Sequence, residues 1–294
     1  MSRLSGRHAA AGGGPEPLRP AGSDMPKRGN MPARADMPGK ADTPVQRESP
    51  GRGARPRPEA TAAAAIGAAE FDRYADSYAH LHGRSIRLSG EEPRYFADYK
   101  VRMVARLLAG EPVGAIVDFG AGVGASVPFF RQYFPQARLT CLDVSVDSLA
   151  RARASHGAEA AHFIAYDGDR LPLADGCTDL AFAACVFHHI PPDRHAAALG
   201  ELRRILKPGG HMVLFEHNPL NPLTVHAVNG CPFDENAVLI GARRMRERMA
   251  QAGFRELQRD FCVFFPAMLS GLRPLERHLG WLPLGAQYVI RGRR

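Results

Sequence analysis

The stretch IVDFGAGVGAS, residues 116–126, decides how the chain is read. A short apolar run ends in an acid, Asp118, and three glycines follow at every second position: Gly120, Gly122 and Gly124. Glycines after a strand let the backbone approach a ligand closely, because no Cβ stands in the way. The turn fits the dinucleotide pattern G-x-G-x-x-G/A, with Ala125 in the last place. A dinucleotide pyrophosphate could use such a turn, and so could a nucleoside that carries positive charge. The next apolar run, RLTCLDVS, closes on Asp143, where an acid accepts hydrogen bonds from the ribose hydroxyls of either ligand.

Outward from the turn, apolar runs alternate with helical patterns. AIVDFG, RLTCLDVS, AHFIAYD, TDLAFAACVFHH and HMVLFEHN read as strands, and GASVPFFRQYF, VDSLARARASHG and PDRHAAALGELRRIL as helices between them. The strand runs are continuously apolar, as expected of parallel strands covered on both faces. The alternation predicts an open, doubly wound α/β sheet with ligands at the carboxyl ends of its strands. Upstream, EPRYFADYKVRMVARLLAG and the Ala-rich AAAAIGAAEFDRYADSYAHLHG read as helices, together an N-terminal helical lid over residues 61–110. The domain proper is expected at 111–294. Past residue 217 the pattern breaks, and the Pro/Asn-rich stretch 218–240 reads as a long loop over the acceptor. A helix GARRMRERMAQAGF, a strand DFCVFFP, a short helical piece with Leu272, Leu275 and Leu279, and a last strand AQYVIRGR complete the chain.

Composition narrows the function class. Of the net charge of +8 over 294 residues, residues 1–60 supply eleven basic and six acidic side chains, leaving +3 for the rest. The basic character thus belongs to a Pro/Gly/Arg-rich tail with a six-residue repeat (MPKRGN, MPARAD, MPGKAD), which reads as disordered. The near-neutral remainder argues against a nucleic-acid partner. No apolar run is long enough to span a membrane and no signal-peptide core stands at the N-terminus. The five cysteines are scattered without a Cys-x-x-Cys pair, which points to a reducing cytoplasm and away from structural zinc.

Two acids and the C-terminal pattern separate the ligand classes. Asp118 lies inside the glycine turn, where a carboxylate is awkward beside a pyrophosphate but suits an ammonium group. Asp167 follows the third strand and can accept from an adenine amino group. The chain then ends in two strands around a short helix rather than a second nucleotide-binding half. On VDFGAGVGAS, LTCLDVS, AYDGDRLPLADGCTDLAFAACVFHHI and ELRRILKPGGHMVLFEHNP, it resembles the class I S-adenosylmethionine-dependent methyltransferases. That resemblance implies a seven-stranded, Rossmann-like sheet whose last strand is inserted antiparallel between two others. It implies S-adenosylmethionine as cofactor. Gly120, Ala121 and Gly122 would lie against its methionine part, with Asp118 near the ammonium and Asp143 with Val144 at the ribose. Asp167 and Gly168 would sit near the adenine, and Cys185 would touch the cofactor through backbone. Tyr74 and Tyr78, in FDRYADSY, would reach it from the lid.

The acceptor chemistry is less defined. Methyl transfer needs alignment and desolvation of the acceptor, and a hydroxyl acceptor also needs a base. His188, His189, Glu216 and His217 stand where the sheet opens. Alternation along a strand puts one of each neighbouring pair toward the ligand, and His189 and His217 are the candidates. No carboxylate is spaced to complete a metal set with these histidines, so no metal is expected. The reading is methyl transfer to a small-molecule or lipid- or glycan-linked acceptor. A nicotinamide-dependent oxidoreductase or epimerase is the alternative, disfavoured by Asp118 and by the lack of a suitable Tyr-x-x-x-Lys pair; a non-catalytic cofactor-binding member is another.

Overall fold

The structure, a computed structural model, describes Asp72 and residues 83–294. The expected tail, the first part of the lid, and Tyr74 and Tyr78 lie outside the described residues.

Seven strands form one sheet: β1 (Ala115–Phe119), β2 (Arg138–Asp143), β3 (Ala161–Ala165), β4 (Thr178–Ala184), β5 (Leu206–His217), β6 (Arg255–Cys262) and β7 (Gln287–Arg293). Their order is β3-β2-β1-β4-β5-β7-β6. The first five are parallel. β7 is inserted between β5 and β6 and runs antiparallel to both, as the resemblance implied. The strand order reverses beside β1, between its neighbours β2 and β4, which is the crevice where such sheets take ligands.

The continuous apolar runs are explained by helices on both faces. The described residues contain α1 (Pro93–Leu107), α2 (Val127–Tyr133), α3 (Val146–His156), α4 (His195–Ile205), α5 (Pro222–Asn229) and α6 (Ala242–Gln251). Ile116 of β1 and Val213 of β5 share one core with Val104 of α1, Phe130 of α2 and Leu149 of α3. Their strand neighbours Val117 and Leu214 share the opposite core with Leu202 of α4 and Met245 of α6. The central strands β1, β4 and β5 therefore bury both of their faces along most of their length, and polar alternation has little room to appear there. Among the described residues no helix is long and apolar enough to cross a membrane.

Two expectations are corrected. TDLAFAACVFHH is not strand throughout: β4 stops at Ala184, and Phe187–His189 form a 3-10 turn. Cys185 breaks the extended path with φ of 59°, in the left-handed region that non-glycine residues rarely adopt. Residues 218–240 are not one loop. Asn221 accepts hydrogen bonds from the amides of Leu223 (3.0 Å) and Thr224 (3.1 Å) and so caps α5. Pro222 stands at the first helical position, where no N–H is needed, so a proline of the stretch read as a loop is here a helix start.

Candidate cofactor cleft and acceptor rim

A cavity of about 310 Å³ opens at the carboxyl ends of β1, β2, β4 and β5. Its floor is the glycine turn. The amides of Gly120 and Ala121 both donate to the carbonyl of Leu142, at 2.8 and 3.0 Å, which fastens the turn to β2. Gly120 has φ of 72°, and a Cβ there would lie 2.4 Å from a Val186 methyl. Gly122 has φ of 52°, yet a Cβ there would meet nothing within 4 Å. The first glycine makes room for protein, whereas the second leaves room for a ligand.

Two carboxylates flank this floor. Asp118 is buried at the end of β1, and its Oδ2 has no hydrogen-bond partner among the described residues. Burial, then the charge of Asp143, pushes its pKa up to about 7. Asp143 accepts from the Gly122 amide through Oδ2 (2.7 Å) and from the Ser145 amide through Oδ1 (2.9 Å). Burial raises its pKa against the pull of these amides, and each oxygen keeps a lone pair for a further donor. Val144, Tyr166 and Gly168 line the cavity beyond it. Asp167 does not: its Oδ1 accepts from the amides of Asp169 (3.0 Å) and Arg170 (3.3 Å), and it closes its own exposed turn.

The opposite rim is built from distant segments. His188 is buried, with Nδ1 2.7 Å from Oε2 of Glu216 and Nε2 3.5 Å from Oδ1 of Asp234. His189 places Nε2 3.3 Å from the same Asp234 oxygen. The ring of His217 lies 5.0 Å from that of His188. Burial pulls His188 toward neutrality, but Glu216 and Asp234 outweigh it and hold its pKa up to about 10. Burial would raise Glu216, but the imidazolium beside it holds it at about 2. Burial and that same positive charge push His189 down to about 3 and His217 down to about 4. The cluster is thus one imidazolium between two carboxylates, flanked by two neutral imidazoles.

His189 and His217 both line the cavity, but so does His188. The one-of-two rule holds for Glu216 and His217 on β5 and fails for His188 and His189, because a 3-10 turn does not alternate. The expectation that no carboxylate completes the histidines also fails. Asp234 arrives from the segment after α5, and His188, His189 and Asp234 bring atoms able to hold a metal within 4.8 Å of one another.

Cys185 lines the cavity between the two rims, and its Sγ receives Lys100 Nζ at 3.4 Å and Gln287 Nε2 at 3.6 Å. Lys100, Asp234 and Gln287 escaped the reading of the sequence. Lys100 left a signal, a lysine four residues after Phe96 on the apolar face of a helix; Asp234 left another, as half of the only acid pair in an otherwise uncharged segment.

The arrangement fits a nucleoside bearing an amino acid. One oxygen of the buried Asp118 carboxylate has no hydrogen-bond partner among the described residues, a glycine opens onto the cavity, and a second carboxylate waits one strand away. Residues 117–214 match the family model described as a methyltransferase domain. Over 120 residues the chain is 37% identical to a malonyl-[acyl-carrier protein] O-methyltransferase of Pectobacterium atrosepticum, covering 39% of this chain and 44% of that one. A protein of the same description from Geobacter sulfurreducens is 28% identical over 62% of this chain and 74% of its own. The solved structure of an S-adenosylmethionine-dependent methyltransferase from Archaeoglobus fulgidus shares the fold at 14% identity, with a TM-score of 0.58 over 74% of this chain and all of that one. Residues 117–214 thus carry a methyltransferase domain, and the sheet has the fold of S-adenosylmethionine-dependent methyltransferases, which supports S-adenosylmethionine as the cofactor. The first of these matches spans less than half of the relative's length.

Proposed function

We propose that this chain methylates an oxygen of a small or carrier-linked acceptor seated between the glycine turn and the histidine rim. S-adenosylmethionine supplies a methyl group already activated on a sulfonium. The protein's part is to bind, to align, to exclude water and to take a proton. Asp118 receives the ammonium end of the cofactor, which supplies the positive charge its buried carboxylate lacks. Asp143 accepts from the ribose hydroxyls, with Val144 beside it. Gly120, Ala121 and Gly122 bring backbone against the methionine part, and Cys185 does so from β4. Tyr166 and Gly168 border the adenine, and Asp167 holds the turn that presents Gly168.

The carrying observation is Asp234 beside His189. Asp234 orients the neutral imidazole of His189 at the rim, and its charge works against the burial that holds the ring's pKa at about 3, the direction a base for a hydroxyl proton needs. His188 is a positioning residue: held between Glu216 and Asp234, it sets where Asp234 lies. His217 stands next to the same space and is the second candidate for the proton. The match to enzymes named as O-methyltransferases supports oxygen as the accepting atom. The test is release of S-adenosylhomocysteine from the pure protein with a panel of hydroxy and carboxylic acceptors, free and carrier-linked. Turnover with a hydroxyl acceptor that collapses in His189→Ala supports the reading. Turnover confined to nitrogen or carbon acceptors would overturn it.

A further inference from the structure

The C-terminal helical piece faces its apolar side the wrong way for a globular surface. Ala267–His278 is a 3-10 helix with a kink at Leu269. In a 3-10 helix residues three apart eclipse one another, so beyond the kink Leu272 and Leu275 form one stripe, and Arg273 and Glu276 another. The polar stripe is the one turned inward. Arg273 pairs with Glu91, and Glu276 accepts from the Tyr99 hydroxyl (2.8 Å) and the Phe264 amide (2.9 Å). The leucine stripe is exposed, together with Met268, which is 87% exposed, and Trp281, which is 70% exposed.

This surface continues onto the start of α5. Asn221 Nδ2 donates to the Leu284 carbonyl (2.7 Å), and Asn218 Nδ2 to the carbonyls of Pro283 (3.1 Å) and Gly285 (2.8 Å). These bonds lock residues 218–221 against 283–285, and Leu220, Leu223 and Leu284 are all exposed there. The other end of α5 contributes Ala227 and Val228 to the cavity. Between residues 266 and 286 the charged or titratable side chains are Arg273, Glu276, Arg277 and His278, and the one acid among them is the inward Glu276. Residues 218–225 carry no charge.

We propose that this face docks on an anionic lipid bilayer and so holds the mouth of the cavity at the membrane surface. Leucine, methionine and tryptophan suit the boundary between headgroups and acyl chains, where an indole is favoured, and Asp260 of β6, packed against Gly280, is the acid that borders them. Arg277 beside the stripe complements anionic headgroups. The docking is independent of the reaction assigned above and is tested without turnover.

Trp281 is the only tryptophan in the chain, so its emission reports on this surface alone. The full-length protein is mixed with phosphatidylcholine vesicles with and without phosphatidylglycerol, and followed by sedimentation and by fluorescence. The expected result is co-sedimentation with the anionic vesicles and a blue shift of Trp281. Leu272→Asp with Leu275→Asp should weaken partitioning roughly tenfold or more, the scale of two buried leucines, while S-adenosylmethionine affinity stays at the wild-type value. Arg277→Glu should weaken it on the anionic vesicles and not on the neutral ones. Absence of co-sedimentation and of any shift overturns the proposal. So does vesicle binding unchanged by the leucine pair, which would assign it to the basic residues 1–60. A concentration-dependent dimer that the leucine pair dissolves would make the occupant a second copy and overturn it equally.

Discussion

The two rims of the cavity are built in opposite ways. Most of the cofactor side comes from one run of chain, β1 through the start of α3, and apart from Asp118 its polar groups are held by backbone: Asp143 by the amides of Gly122 and Ser145, the glycine turn by Leu142. The acceptor side gathers residues 188–189, 216–217 and 234 into one buried network of side chains. A site of the first kind tolerates loss of one side chain by weaker binding. In the second kind each group's charge state depends on the others, so one deletion disturbs all of them.

That contrast can be broken from either side. The largest expected effect is on turnover: His189→Ala should lower it by roughly two to four powers of ten, the range for a lost general base. S-adenosylmethionine affinity should be unchanged, and steady-state kinetics beside calorimetry check both. Next, His188→Ala leaves Glu216 buried without its counter-ion, and should cost about 3–5 kcal/mol of stability, read by denaturant unfolding. The pH dependence carries a sign. His188 is raised above its unfolded value of 6.5 to about 10, so its contribution is full below about pH 6.5 and lost as pH rises through about 10. Glu216 is lowered from 4.5 to about 2, so its share is present above about pH 4.5 and lost as pH falls through about 2. The pair stabilises most between these limits, and a variant lacking His188 should show neither edge.

The cofactor side responds more mildly. Asp118, raised to about 7, is protonated below that pH and ionised above it. Affinity for S-adenosylmethionine should therefore fall as pH drops below about 7, approaching tenfold per unit, and Asp118→Asn should flatten the dependence. Stability of the ligand-free protein moves the other way. A carboxyl whose folded pKa lies above the unfolded 3.8 loses stability as pH rises between about 4 and about 7. Titration calorimetry and thermal melts across pH 5–8 read the two slopes.

The same contrast explains what the sequence made legible. The parallel sheet and the glycine turn follow from local patterns, because the central strands bury both faces and the turn joins the first of them to a helix, while the inserted last strand followed from the family resemblance. Asp118 and Asp143 could be read because strand ends deliver them. Asp167 was misplaced, since position after a strand does not say whether a carboxylate points into a cleft or closes its own turn. The partner of His189 was hidden by a separation of 45 residues between it and Asp234. Asn221 before Pro222 is a helix-start signal that the reading of 218–240 as a loop passed over, and it is the chain after that helix that returns Asp234 to the rim.

The central claim is that cofactor binding and proton removal reside on separate rims. Calorimetric titration of S-adenosylmethionine into the wild type, Asp143→Ala and His189→Ala tests it most directly. The account predicts that Asp143→Ala loses about 1.5–3 kcal/mol of binding free energy, the scale of hydrogen bonds to a charged group, and that His189→Ala binds as the wild type does. Unchanged affinity in a folded Asp143→Ala, or an equal loss in His189→Ala, would contradict it.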